Sequence, residues 1–294
     1  MTRHELVALM PGAGPPATPP GCLLVAGGGH VAVLARARLL PLARRAEAVK
    51  AAAERAAVLE ALLPHGTVLP ALPGQRVEAD EVADLVAANL PLLRDLAHRL
   101  ADRVQYQVTV RWTADRAAAA FGVEPEGLPA VAAALGTRLA DRLAATGAEI
   151  TALPVAGDVL SNAALLIPRQ TEPALDAALE EIDRIWSAGL AIRVVGPLPA
   201  VSFASLVFDR ASPAAARDAR AAFGLPAGFS AEALKAARRT ALMSASPDRR
   251  EQVARQAELL GCLARLGGSE GAVLVGRLWS EGMSAAKGGA ARAA

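Results

Sequence analysis

The sequence predicts an α+β protein, and three observations carry that prediction. Amphipathic helical stretches alternate with short β-rich runs, twice, along residues 1–209. Val104, Tyr106, Val108, Val110 and Trp112 alternate with Gln105, Gln107, Thr109 and Arg111, the pattern of a strand buried on one face. The charge then changes sign: residues 1–209 carry 18 basic and 22 acidic groups, net −4, and residues 210–294 carry 13 and 7, net +6. The predicted architecture is two ferredoxin-like α/β sandwich domains, 1–113 and 114–209, followed by a helical extension over 210–294 with a frayed Gly/Ala tail at 284–294.

In chain order, His4–Met10 reads as a strand, and Cys22–Ala26 with His30–Arg36 as a hairpin closed by Gly27-Gly28-Gly29. A helix over about Ala43–Leu63 steps through Val49, Ala53, Ala56, Leu59 and Leu63, and Pro64 and Gly66 stop it. Thr67–Leu72 is a short strand. A helix over Asp80–Asp102 contains Pro91, which should kink or split it. Thr113–Pro129 has no clear period. The pattern then restarts with a helix at Ala130–Thr146 closed by Gly147, strands at Glu149–Ala156 and Val159–Ile167 around Gly157-Asp158, and a helix at Glu172–Ala188 with Thr171 as N-cap. Leu190–Val195 and Ser202–Phe208 are the last expected strands. Beyond Asp209 only helix starts are evident, at Ser212-Pro213, at Ser230 with Glu232, and at Ser246-Pro247-Asp248.

Composition excludes several function classes. With 53% apolar residues the chain has ample core, but with 3% aromatics it lacks the stacking platforms of a single-strand nucleic-acid binder. Cys22 and Cys262 lie too far apart in sequence to suggest a disulfide framework, so a reducing cytosol is expected. Met1–Glu5 has no apolar run of the signal-peptide kind behind it. Leu6–Ala35 lacks any acidic or Lys/Arg side chain, but its five prolines and three successive glycines break a spanning helix.

No motif marks a catalytic centre. The glycine run lacks the Lys-Ser/Thr of a phosphate loop and is better read as a turn. His4, His30, His65 and His98 never fall at ligand spacing and read as surface or loop residues. Glu180, Glu181 and Asp183 read as the solvated side of a helix rather than an acid/base pair, and Arg238-Arg239 with Arg249-Arg250, interleaved with Glu232, Asp248 and Glu251, as serving an acidic protein surface or nothing specific. No cofactor or metal is expected. Gly196-Pro197-Leu198-Pro199-Ala200-Val201-Ser202-Phe203 is a rigid connection that would fix how the last strand re-enters the sheet; a plain crossover loop is the bland alternative.

Several of these segments together resemble the GvpL/GvpF family of gas vesicle proteins over about residues 4–208. They are Thr67-Val68-Leu69-Pro70 with Gly74 four residues on, the strand ending at Trp112, Asn162 to Ile167, and Gly189 with Gly196 to Phe203. Pro73-Gly74 stands where the family has an aromatic-Gly pair, and Leu198, Ala200 and Val201 stand where it has bulkier residues. The resemblance implies a non-enzymatic gas vesicle assembly protein, minor structural or accessory, in the cytoplasm or on the vesicle. It implies that the small shell protein and other accessory proteins are its partners, with no nucleic acid and no lipid membrane. The positions it implicates, as structural or shell-contact residues, are Pro70, Gly74, Trp112, Asn162, Gly196, Pro197, Pro199, Ser202 and Phe203. A fainter resemblance joins Phe229 to Arg239 and Ser246-Pro247-Asp248 to the first helices of a J-domain, with Ser246 where that family has histidine. Two alternatives remain: a chaperone adaptor recruiting an Hsp70-type ATPase, and a small-molecule module with Gln105, Gln107 and Asn162 as candidate polar groups.

Overall fold

The computed structural model describes residues 3–37, 45–211, 213–226, 228–265 and 273–279. Ser212 and the tail at 284–294 lie outside them, as do residues 43 and 44 of the first expected helix. The chain forms two compact units that are spatial and discontinuous, whereas the division expected above cuts contiguous chain. One comprises the described residues of Met1–Val58, Leu69–Arg99 and Leu206–Trp279, the other Leu59–Val68 and Leu100–Ser205.

The first unit is built on β1 (His4–Pro11), β2 (Cys22–Gly27) and β3 (His30–Arg36), with short strands β4 (Leu69–Pro70) and β5 (Arg76–Val77). Its antiparallel sheet runs β2-β3-β1-β4, with β5 also pairing with β1. Leu6, Val7, Ala8, Leu9 and Met10 of β1 are all buried, as a central strand requires. The Gly28-Gly29 turn closes β2 onto β3 with both residues at positive φ. Gly28 has a second constraint: a Cβ there would stand 2.6 Å from Val86 Cγ1, because helix α2 (Val82–Leu100) lies on the hairpin. α2 is a single helix with Pro91 inside it, entered through a capping box between Glu78 and Glu81. Its other side supplies Ala88 to a core shared with Ala219, Phe229, Leu234 and Leu260. These four belong to the extension, whose helices are α6 (Pro213–Ala222), α7 (Ala231–Ser244) and α8 (Pro247–Arg265).

The extension thus carries the three expected helices, and Ser230 caps α7 by accepting from the Ala233 N–H at 3.1 Å. It adds a strand that no helix-start signal announces: β11 (Val273–Trp279) pairs with β10 (Ser205–Ala211). The run Val273-Leu274-Val275, with Leu278-Trp279 after it, is rich in β-branched and aromatic residues, which explains the strand.

The second unit places its elements in the order β6 (Arg103–Trp112), α3 (Ala114–Phe121), α4 (Leu128–Ala144), β7 (Glu149–Ala152), β8 (Val159–Pro168), α5 (Glu172–Ile185) and β9 (Leu190–Leu198). Its antiparallel sheet runs β7-β8-β6-β9. Apart from the added α3, this is the βαββαβ order of a ferredoxin-like sandwich. The first unit is α+β too, but it begins with three strands and reaches its layers by another order. α3 forms where the sequence shows no clear period, ended by Gly122 in the left-handed conformation. Thr171 precedes α5 but does not cap it; its hydroxyl donates instead to the Pro168 carbonyl at 2.8 Å.

Candidate functional site

β6 shows why the second unit has two unlike faces. Val104, Val108 and Val110 are fully buried beneath the helices. The opposite side carries Gln105, Gln107, Thr109 and Arg111, and β8 sets Asn162 directly across from Thr109. Asn162 Oδ1 accepts from Gln107 Nε2 at 3.0 Å and from Thr109 Oγ1 at 3.1 Å, and its Nδ2 donates to the Pro154 carbonyl at 3.0 Å. These neutral amide and hydroxyl groups bond one another and tie β6 and β8 to the Pro154 carbonyl.

At the end of the same face Gln105 is only 2% exposed. A buried amide must be bonded on both sides. Gln105 Oε1 accepts from the Ser202 N–H at 2.8 Å, and its Nε2 donates to Ser202 Oγ at 3.1 Å. This clamp holds the turn in which the Phe203 and Ala204 N–H groups both donate to the Ala200 carbonyl. Pro199 is buried in that turn, as is Phe203.

Gly196-Pro197, a cis peptide, sits where the β6–β9 register slips by one residue opposite Tyr106. Gly196 has φ +151°, and a Cβ on it would lie 2.5 Å from Tyr106 Cδ1 and 2.9 Å from the Gln105 carbonyl oxygen. Only glycine fits there. Burial, with a hydrogen bond to Glu172, pushes the Tyr106 phenol up to about 12. The expected residues Gly196, Pro197, Pro199, Ser202 and Phe203 therefore form one corner around Gln105 and Tyr106.

Trp112 stands elsewhere, at the far end of β6, in an apolar cluster with Ala117 and Leu135. Next to it Trp186 meets Phe121 edge to face, ring centroids 5.2 Å apart.

Pro70 and Gly74 belong to the other unit. Pro70 pairs with Ala8 in the sheet, and the Gly74 N–H donates to Glu5 Oε1 at 3.3 Å. The same carboxylate receives Arg55 Nη1 at 2.9 Å, both side chains being largely buried. Arg55 Nη2 also donates to the carbonyls of Val7, at 3.0 Å, and of Ala71. Burial lowers the Arg55 pKa, and Glu5 opposes that shift. The nine implicated positions thus fall into a corner, a sheet-face amide, an aromatic cluster and a charged node, not one pocket.

Sequence reasoning missed Glu5, Arg55 and Tyr106. A signal existed for Arg55: it lies four and seven residues before Leu59 and Leu62, on the apolar line of α1 (Arg45–Leu62). The histidine reading needs correction as well. His30 is buried at the hairpin, with Nε2 unpaired, because the turn tucks it beneath its neighbours.

A cleft of about 360 Å³ opens beside Leu63, Thr67, Asp102, Arg103, Arg169 and Pro199. Arg169 Nη2 already donates to the Leu63 carbonyl at 3.0 Å, and Arg103 faces Glu149 at 3.6 Å, so neither cation points unopposed into it. Among the described residues no His, Cys, Asp or Glu cluster could hold a metal ion, and no helix is long and apolar enough to cross a membrane. Ser246-Pro247-Asp248 falls where α8 begins, after α7.

Comparison with known proteins bears on this second unit. Residues 125–205 match the family described as gas vesicle synthesis protein GvpL/GvpF. The crystal structure of the gas vesicle protein GvpF from Anabaena sp. PCC7120 is similar at 21% identity, covering 69% of this chain and 95% of that one, with a TM-score of 0.57. GvpF from Microcystis aeruginosa is similar at 18% identity, covering 68% of this chain and 98% of that one, with a TM-score of 0.53. No curated protein matches the chain. At these identities the two crystal structures speak for the fold, and the matched segment runs from the turn before α4 to the residue after the Gln105-clamped corner. The chain therefore matches the GvpL/GvpF gas vesicle family over residues 125–205, which include Asn162 and the corner from Gly196 to Phe203 but not Pro70, Gly74 or Trp112, on a fold similar to that of GvpF.

Proposed function

We propose that this protein is a gas vesicle assembly protein, a minor structural or accessory component. In this reading it binds the small shell protein and keeps it from aggregating during vesicle nucleation. The family match over residues 125–205 is the observation that carries it. An apolar shell subunit must be shielded before it polymerises, and the chain offers surfaces suited to strand addition. β2 and β9 each lie at the margin of a sheet, with Leu23 and Val194 exposed on them. The rigid corner at Gly196, Pro197, Pro199, Ser202 and Phe203 holds the end of β9 in register for such a contact.

The reading assigns the chain no catalysis; on its polar face Gln107, Thr109 and Asn162 bond to one another, and Arg111 beside them pairs with Asp158 at 3.7 Å. It places the protein in the cytoplasm and on the vesicle. The test is twofold. Purified protein should retain the shell protein in a pull-down and delay its turbidity on dilution from denaturant. A clean deletion in a vesicle-forming cell should abolish or deform vesicles; normal, buoyant vesicles in that strain would refute the proposal.

A further inference from the structure

Two helices of this chain carry opposite charge on faces that their own cores leave uncovered. In α7 the buried residue is Leu234, while Lys235, Arg239 and Met243 follow one another at four-residue steps along the exposed side, with Arg238 beside them. Met243 is 81% exposed, an apolar end to a basic line. No acidic side chain occurs from residue 233 to residue 247. Among the described residues, none of these three cations makes an ion pair.

α5 is the counterpart. Leu175, Ala178 and Ile182 are buried, and Asp176, Glu180 and Asp183 form an exposed line on the other side at steps of four and three. Arg184 reaches Glu180 at 3.0 Å, but neither aspartate has an ion-pair partner among the described residues. At 1.5 Å per residue the cations from Lys235 to Arg239 span about 6 Å and the exposed line to Met243 about 12 Å, against about 10 Å for the acidic line, so one can lie along the other.

We propose that α7 of one copy docks on α5 of a second copy. The pairing joins unlike surfaces, so it adds subunits head to tail instead of closing through one self-complementary patch. Its contacts sit on exposed helix faces, so salt screens them. This proposal goes beyond the assembly role and does not depend on the shell protein.

Sedimentation velocity on the full chain tests it. At about 50 mM salt the mean mass should rise with concentration to at least about twice the 30.1 kDa chain, and at about 500 mM salt it should return to the single chain. Lys235→Glu with Arg239→Glu, or separately Asp176→Lys with Asp183→Lys, should each abolish association at low salt while far-UV circular dichroism stays unchanged. Mixing the two reversed proteins should restore it, since each then presents the complement of the other. A wild-type chain that stays single at low salt, association that survives either reversal, or a mixture that fails to associate would each overturn the proposal.

Discussion

The two units hold their chain segments together by different means. The ferredoxin-like unit is drawn mainly from one continuous run, Leu100–Ser205, and its sheet is closed by hairpin and crossover connections. Its buried polar fastening, Gln105 on Ser202, is neutral. The first unit gathers three separated stretches, and there the fastening is an ion pair: Arg55 on Glu5, with backbone from Val7, Ala71 and Gly74 joined to it. A further tie is the Phe208 N–H donating to Gln75 Oε1 at 2.6 Å. Where local connections already set the register, a satisfied amide suffices. Where distant segments must converge, one charged group reaching several carbonyls selects the arrangement, at the risk of large losses when it is removed.

Removing Arg55 is the sharpest way to break this contrast. Arg55→Ala leaves Glu5 buried without its counter-charge and deprives the Val7 and Ala71 carbonyls of a donor, so it should cost about 3–5 kcal/mol in urea unfolding. Native-state hydrogen exchange should show the loss in β1 and β4 before β6 and β8. A cost under about 1 kcal/mol, the range of exposed pairs, would remove the proposed distinction between the units.

Gly196→Ala comes next, at about 2–4 kcal/mol, from an unfavourable φ and a Cβ pressed against the Tyr106 ring and the Gln105 carbonyl. Its effect should appear in β6 and β9, and equal exchange in both units would contradict the assignment. Gln105→Leu should cost about 1–3 kcal/mol, because the Ser202 N–H and hydroxyl lose their partner. If it proved neutral by the same unfolding measurement, the corner would not depend on the clamp.

The smallest effect concerns Tyr106, the only tyrosine in the chain, so absorbance titration reads it alone. The midpoint should lie near 12 in the folded protein, as burial and Glu172 require. The folded phenol holds its proton more tightly than the unfolded one. Its contribution to stability is therefore complete below the ordinary phenol pKa of about 10 and is lost as pH rises through about 12. A midpoint at the ordinary value would mean that neither burial nor Glu172 acts on the hydroxyl.

Much of the second unit was legible because its signals are local. The alternation in β6, the i+4 leucines of α4 and the turn glycines at 147 and 157 each fix an element from its own residues. α3 was not legible, since an Ala-rich stretch buries only a narrow stripe and shows little period; Ala117 is the residue it turns into the core. The candidate site was legible in part. The residues from Gly196 to Phe203 stood out through their prolines and glycine, but Gln105 and Tyr106 are ordinary members of an alternating strand, set apart only by what folds against them. Glu5 and Arg55, fifty residues apart, could be joined only by the folded chain.

α2 has consequences for how this protein could gain or lose parts. One side of it covers the β2–β3 hairpin and another is shared with the extension through Ala88. The extension is thus not a detachable module. A chain ending at Asp209 would uncover Ala88 of α2, so a descendant that dropped the extension would gain from a polar residue at that position, and a shorter ancestor that acquired it would have gained from an alanine there.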